Sequence, residues 1–143
     1  MNQDYSGQVA FSWQEIESLV EVLCTKIRQI GFKFNQIATV TRGGLVPARL
    51  VADIFDIKKI LVDQNNIPPN TLFVDDIYDT GDTFKEIFPK VDIPESFVYA
   101  TLIARKGKTY PKQLIYAQTT MGMEYVVFPW DKLEHSRKEK TAT

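Results

Sequence analysis

LFVDDIYDTGDTF, residues 72–84, sets four aspartates within eight positions directly after a run of apolar residues. Leu72, Phe73 and Val74 read as a short buried strand. Asp75 and Asp76 follow at once. Asp79, Thr80, Gly81, Asp82 and Thr83 then lead into Phe84, Ile87 and Phe88, whose spacing suits one face of a helix. Carboxylates this close repel one another and resist burial, so a cation or a set of hydroxyls must offset them. Acids at the end of a strand, with a glycine-centred turn running into a helix, suit the carboxyl edge of a parallel α/β sheet, where ligands collect.

The flanking sequence agrees. Ser12, with Glu15 three residues on, forms a capping box, and Ile16, Leu19, Val20, Leu23 and Ile27 mark a helix ending near Gly31. IATVT at 37–41 is a buried strand, Gly43 and Gly44 turn the chain, and 45–55 is a second helix. KILV at 59–62, the acidic strand at 71–75 and FVYATLIA at 97–104 are further strands, and Pro89 stops the helix that follows Thr83. Alternation of this kind predicts a parallel sheet flanked by helices on both faces. From 105 the pattern shifts to a basic loop, KGKTYPK, then short strands at LIYA and EYVVF, and SRKEKTAT reads as a solvated tail. The expected organisation is a single unit over 1–143, with a core at 12–104, a small C-terminal hood at 105–134 and a tail at 135–143.

Bulk properties narrow the function. At 143 residues, 44% of them apolar, the chain can bury one real core. Seventeen basic residues against eighteen acidic ones give a net charge of −1, which argues against nucleic acid as a partner. Cys24, the one cysteine, lies in the apolar stripe of the first helix and reads as an inert buried thiol. MNQDYSGQ lacks the charged and apolar regions of a signal peptide, and no apolar run could span a bilayer, so a cytoplasmic protein with no membrane partner is expected.

Two loops fall at the ligand edge of such a sheet, Thr41-Arg42-Gly43-Gly44 and Asp79-Thr80-Gly81-Asp82-Thr83. In the second, Gly81 allows close backbone approach, and two threonine hydroxyls stand beside backbone N–H groups to cradle a phosphate. Asp75 and Asp76 suit sugar hydroxyls or a hydrated Mg²⁺. Arg42 offers a charge-assisted donor to a second anionic group. The simpler alternative is that Asp79 or Thr80 only caps the helix.

VDDIYDTGDT at 74–83 resembles the phosphoribosyl-pyrophosphate motif of type I phosphoribosyltransferases. VTRGGLVPARLVAD at 40–53 and EYVVFPWD at 124–131 are similar to the pyrophosphate loop and the purine-contacting segment of the xanthine-guanine and hypoxanthine branch. The resemblance runs from about Ser12 to Glu134 and implies transfer of 5-phosphoribose from phosphoribosyl pyrophosphate to guanine, xanthine or hypoxanthine, with Mg²⁺, in a homodimer or homotetramer.

By the same resemblance, Thr80, Gly81, Asp82 and Thr83 hold the 5′-phosphate, and Asp79 opens that loop. Asp75 and Asp76 face the ribose and the Mg²⁺ shell. Arg42 and Gly43 bind pyrophosphate in a turn that in the family often contains a non-proline cis peptide. Asp79 is the candidate for proton transfer at purine N7, or else a plain cap. Arg105 or Lys106, with Arg105 the better match, meets the 6-oxo group; Tyr125 stacks on the base or packs the hood; and Val126 offers a backbone carbonyl to the base edge. One departure stands out. Family enzymes carry a long flexible loop with a Ser-Tyr pair between the second and third strands, and here that interval is only VDQNNIPPNT, 62–71. A lid excludes water and completes transition-state contacts. Its absence makes a non-catalytic phosphoribosyl pyrophosphate or nucleotide-binding module the alternative reading.

Overall fold

Five parallel strands form the central sheet of a computed structural model that describes residues 5–142; the first four residues and Thr143 of the expected unit lie outside it. The elements are β1 (Gln8–Ala10), α1 (Trp13–Gln29), β2 (Gln36–Thr39), α2 (Leu45–Phe55), β3 (Ile60–Val62), β4 (Thr71–Tyr78), α3 (Asp82–Ile87), β5 (Val98–Ala104), β6 (Leu114–Thr119), β7 (Tyr125–Val127) and α4 (Lys132–Ala142). Strand order is β3-β2-β4-β5-β6, and every pairing is parallel.

The chain leaves β2 toward one edge of the sheet to form β3 and returns to the other side as β4. That reversal opens a crevice at the carboxyl ends of β2 and β4, between the loops that follow them. Helix α1 starts at the expected capping box: Glu15 N–H donates to Ser12 Oγ at 3.1 Å, and Ser12 N–H to Glu15 Oε1 at 3.0 Å. It buries Ile16, Leu23 and Ile27 beside Val51 of α2 against Leu72, Val74 and Leu102 of the sheet. Phe73, Phe84, Ile87, Phe97 and Tyr99 fill the opposite face. Successive strand residues point to opposite faces, which is why Phe73 leaves the core that its two neighbours enter. Cys24 lies fully buried in the first of these cores, and burial pushes its thiol up to about 11. It is inert.

Four elements differ from expectation. β4 does not stop at the acids but runs on to Tyr78, because Asp75, Ile77 and Tyr78 pair with Thr101, Ile103 and Ala104 of β5 and satisfy the backbone there. Residues 114–119, expected in the hood, form β6 at the edge of the main sheet. The hood is instead the small parallel ribbon of β1 and β7, with Val9 opposite Val126, and β1 was unforeseen because three residues carry no period. Residues 135–142, expected as a solvated tail, continue α4. No described helix is long and apolar enough to cross a membrane.

Candidate functional site

The floor of the crevice is the acidic end of β4. Asp75 is buried; its carboxylate accepts the Tyr99 hydroxyl at 2.8 Å and the Asp76 N–H at 2.9 Å. Asp76, half-buried, accepts the Ile77 N–H at 2.7 Å. Desolvation holds both carboxyls above the usual range, Asp76 the more strongly, since the Asp75 charge adds to it. Burial and the same carboxylate push the Tyr99 phenol up, so it remains a donor. These are hard oxygen ligands facing a cleft of about 230 Å³. Among the described residues no three acidic, histidine or cysteine side chains gather as a metal cage. A pair of carboxyl groups is a donor set that Mg²⁺ can use, since that ion keeps several waters when one or two carboxylates bind it.

The loop after β2 forms one wall. Its Thr41–Arg42 peptide is cis. Thr41 is clamped by Asp63, which follows β3: the Thr41 N–H donates to Oδ1 at 2.9 Å and its hydroxyl to Oδ2 at 2.7 Å. The hydroxyl bond, then the amide bond, holds the Asp63 carboxyl below its ordinary range. Gly43 has no room for a side chain, since a Cβ would lie 2.5 Å from Asp76 Oδ2. Gly44 is equally closed in, by the Thr39 side chain and the Val74 carbonyl. These glycines let the loop lie directly on the acidic floor. Arg42 projects outward and meets Glu134 of α4 at 3.4 Å.

The loop after β4 forms the facing wall, with Thr80, Gly81, Asp82 and Thr83 all lining the cleft. Gly81 has φ +87°, and a Cβ there would meet the Tyr78 hydroxyl at 2.6 Å. Only glycine fits. Gly81 is also the N-cap of α3 and has no side chain to cap it, while the Thr80 hydroxyl accepts the Asp82 N–H at 3.3 Å at the first residue of the helix. The Asp79 carboxylate takes the Arg105 Nε–H at 2.9 Å and Nη2–H at 3.2 Å, and the Tyr5 hydroxyl at 3.0 Å.

Arg105 is 1% exposed. Its Nη1 donates to the carbonyls of Gly122 and Glu124 at 3.1 and 2.7 Å, and its guanidinium lies 5.3 Å from the Tyr5 ring centroid. Burial is the largest single influence and opposes the charge, but the Asp79 hydrogen bonds together with the charges of Asp79, Tyr5 and Glu124 raise the Arg105 pKa. Glu124 supports the same turn by accepting from the Met121 and Gly122 amides.

A second hollow of about 140 Å³ shares Asp76, Ile77 and Asp79 with the cleft and is otherwise lined by Tyr5, Arg105, Tyr125, Val126, Phe128 and Asp131. Tyr5 meets Tyr125 edge-on at 5.0 Å. The Tyr125 N–H donates to Gly7 O, and Val127 O accepts from Phe11 N–H, so both neighbours of Val126 are spent on the β1 side. The backbone groups of Val126, between them, turn away from β1.

All the residues expected at the site therefore lie along one continuous crevice, apart from Arg42, which stands at its rim beside α4. Arg105 occupies the expected wall with four donor bonds already made, and Lys106 is exposed beyond it. Tyr5, Asp63, Tyr99, Asp131 and Glu134 were missed. Tyr99, two residues into a buried strand and opposite Phe73, carried a signal, because a polar tip in a central strand needs a partner. Asp131 ends the EYVVFPWD segment without having been given a role, and Tyr5, Asp63 and Glu134 come from segments with no motif.

A five-stranded parallel sheet of this order, with two anion-shaped loops over a carboxylate floor at its switch point, is the fold of the type I phosphoribosyltransferases. In sequence the likeness is to xanthine-guanine phosphoribosyltransferases. The xanthine-guanine phosphoribosyltransferase of Chromohalobacter salexigens is 25% identical, covering 89% of this chain and 86% of its own length. That of Desulfotalea psychrophila is 27% identical, covering 92% and 91%. Among solved structures, the purine phosphoribosyltransferase of Pyrococcus horikoshii has a TM-score of 0.69 at 22% identity, over 87% of this chain and 94% of its own. A hypothetical protein from Neisseria gonorrhoeae with bound ppGpp also has a TM-score of 0.69, at 21% identity, over 99% and 100%. No family model matches the chain.

Proposed function

We propose that this chain transfers 5-phosphoribose from phosphoribosyl pyrophosphate to a 6-oxopurine, giving the nucleoside monophosphate and pyrophosphate. One observation carries the reading: the two loop walls share a cleft that opens, past Asp76 and Asp79, into a hollow with aromatic and donor walls. A ligand with a phosphate at one end, a sugar at its middle and a base beyond has that shape. Thr80, Gly81, Asp82 and Thr83 take the 5′-phosphate, Asp75 and Asp76 the ribose hydroxyls, and Arg42 with the backbone at Gly43 the pyrophosphate. Asp75 and Asp76 would hold Mg²⁺ through water or ribose oxygens, and the ion supplies charge neutralisation of the leaving pyrophosphate.

Tyr125 stacks on the purine, the Val126 carbonyl accepts from its edge, and Asp79 takes the N7 proton. Arg105 holds the Asp79 carboxylate in place and leaves a guanidinium N–H on the hollow's wall. That N–H can only donate, so where it meets position 6 it pairs with a 6-oxo group and opposes the 6-amino group of adenine, itself a donor. The test is base-dependent release of pyrophosphate over guanine, xanthine, hypoxanthine, adenine and orotate. Turnover with a 6-oxopurine and little with adenine is expected, and adenine performing as well as guanine would remove the oxopurine assignment.

A second reading is a binding module without turnover. The short β3–β4 connection favours it, as does full-length likeness to the Neisseria gonorrhoeae protein solved with ppGpp. Calorimetric binding of phosphoribosyl pyrophosphate or ppGpp, with no base-dependent release of pyrophosphate, would establish that reading instead.

A further inference from the structure

Glu134 of α4 holds two cations at once. Its Oε2 lies 3.4 Å from Arg42 Nη2, and its Oε1 lies 3.3 Å from Lys138 Nζ, one helical turn further on. A hollow of about 220 Å³ runs between these groups and the base side, lined by Arg42, Gly43, Tyr125, Asp131, Glu134, His135 and Lys138. The next residue, His135, stacks on Tyr125 with ring centroids 5.6 Å apart and planes at 24°. So α4 lies over the stretch of crevice between the loop after β2 and the hood ribbon.

We infer that α4 belongs to the ligand site, with Lys138 a further pyrophosphate-binding residue and Glu134 an internal carboxylate that stands in for the ligand's anion. The inference rests on the phosphoribosyl reading for the identity of that anion. A carboxylate bridging two cations has the charge pattern that one phosphate group of a pyrophosphate would present to them. The side chains of Arg42, Glu134 and Lys138 are 76%, 44% and 67% exposed, and ion pairs so open to water are weak. A multiply charged ligand therefore displaces Glu134 at little cost and gathers both cations. Glu134 cannot be a second ligand for the anion, because its charge has the wrong sign. The two residues must then act in opposite directions on affinity.

That opposition is the test. Calorimetry with inorganic pyrophosphate and Mg²⁺ compares the full chain with Glu134→Gln, Lys138→Met and a control, Lys33→Met, which lies at a separate hollow around Phe32, Phe34 and Phe55. Glu134→Gln should bind roughly 2- to 5-fold tighter and Lys138→Met roughly 5-fold weaker, the scale of one exposed charge pair. The control should match the wild type. Circular dichroism verifies that each variant keeps the wild-type fold, which these exposed positions permit. Wild-type binding with Lys138→Met unchanged, or weaker binding by Glu134→Gln, overturns this inference and leaves the phosphoribosyl site standing. Absence of wild-type binding to both pyrophosphate and phosphoribosyl pyrophosphate overturns the site and this inference together.

Discussion

Asp79 and Arg105 form one unit, and neither can be changed without loading the other. The guanidinium is buried, and Asp79, with its side chain 22% exposed, is its principal counter-charge; Glu124 Oε1 is no nearer than 4.0 Å. Asp79→Asn keeps an oxygen for Nε but removes the negative charge. Stripping one partner from a buried pair costs about 3–5 kcal/mol, and the partial exposure of Asp79 places the expected loss near the lower end. Turnover should also fall, by roughly 10²-fold if Asp79 carries the N7 proton. The two effects separate in experiment, since thermal unfolding reads the first and saturating kinetics at low temperature the second. An Asp79→Asn variant that melts with the wild type would show that the pair does not hold the hood. From sequence, Asp79 stood between a cap and a base. The structure adds a contact that neither reading contained, the pair with Arg105, 26 residues away, which no local pattern encodes.

At the scale of elements, what was legible has local chemistry and what was not depends on distant partners. The Ser12 capping box, the 45–55 helix and the two ligand loops each follow from neighbours in sequence. β1 exists only because Gln8, Val9 and Ala10 find Tyr125, Val126 and Val127. α4 has no apolar stripe to read; its contacts come from the Glu134–Lys138 pair and from His135 on Tyr125. The short β3–β4 connection was read as the place where a lid is missing. In the structure its first residue, Asp63, is the clamp on Thr41, so the segment supports the loop after β2. Asp63→Ala should weaken pyrophosphate binding by roughly 3- to 10-fold without touching the ligand, as loss of bonds to a charged acceptor would. The pH sign follows from the lowered carboxyl. Its support is fully present above the unfolded pKa and is lost only as pH falls through the lower folded value, so it persists at neutral pH. Equal affinity of Asp63→Ala and wild type in calorimetry at pH 7 would make the clamp irrelevant to binding.

Over the whole molecule, the crevice is floored and walled, and α4 and the hood line its outer side. The sheet's switch point sets the carboxylates of β4 beneath it, and the loops after β2 and β4 set its sides. A closed site keeps water from a reactive centre, and a site without a closing loop admits it. Transfer from phosphoribosyl pyrophosphate passes through a C1′ centre with oxocarbenium character, as the family resemblance implies, and water is a competent nucleophile there. This chain should therefore release pyrophosphate slowly from phosphoribosyl pyrophosphate and Mg²⁺ with no base present. In that reaction water adds to C1′, the C1′–O bond breaks, and pyrophosphate departs with the bridging oxygen. A purine that fills the hollow beside Tyr125 and Asp79 would displace the water and divert flux to nucleotide. Running the base-free reaction in ¹⁸O-water locates the attack through the pyrophosphate, whose oxygens do not exchange with water: unlabelled pyrophosphate marks attack at C1′, whereas label in pyrophosphate marks attack at phosphorus by a contaminating phosphatase. Base-free release at background, alongside brisk transfer to guanine, would mean that α4 and the hood close the site as well as a lid does.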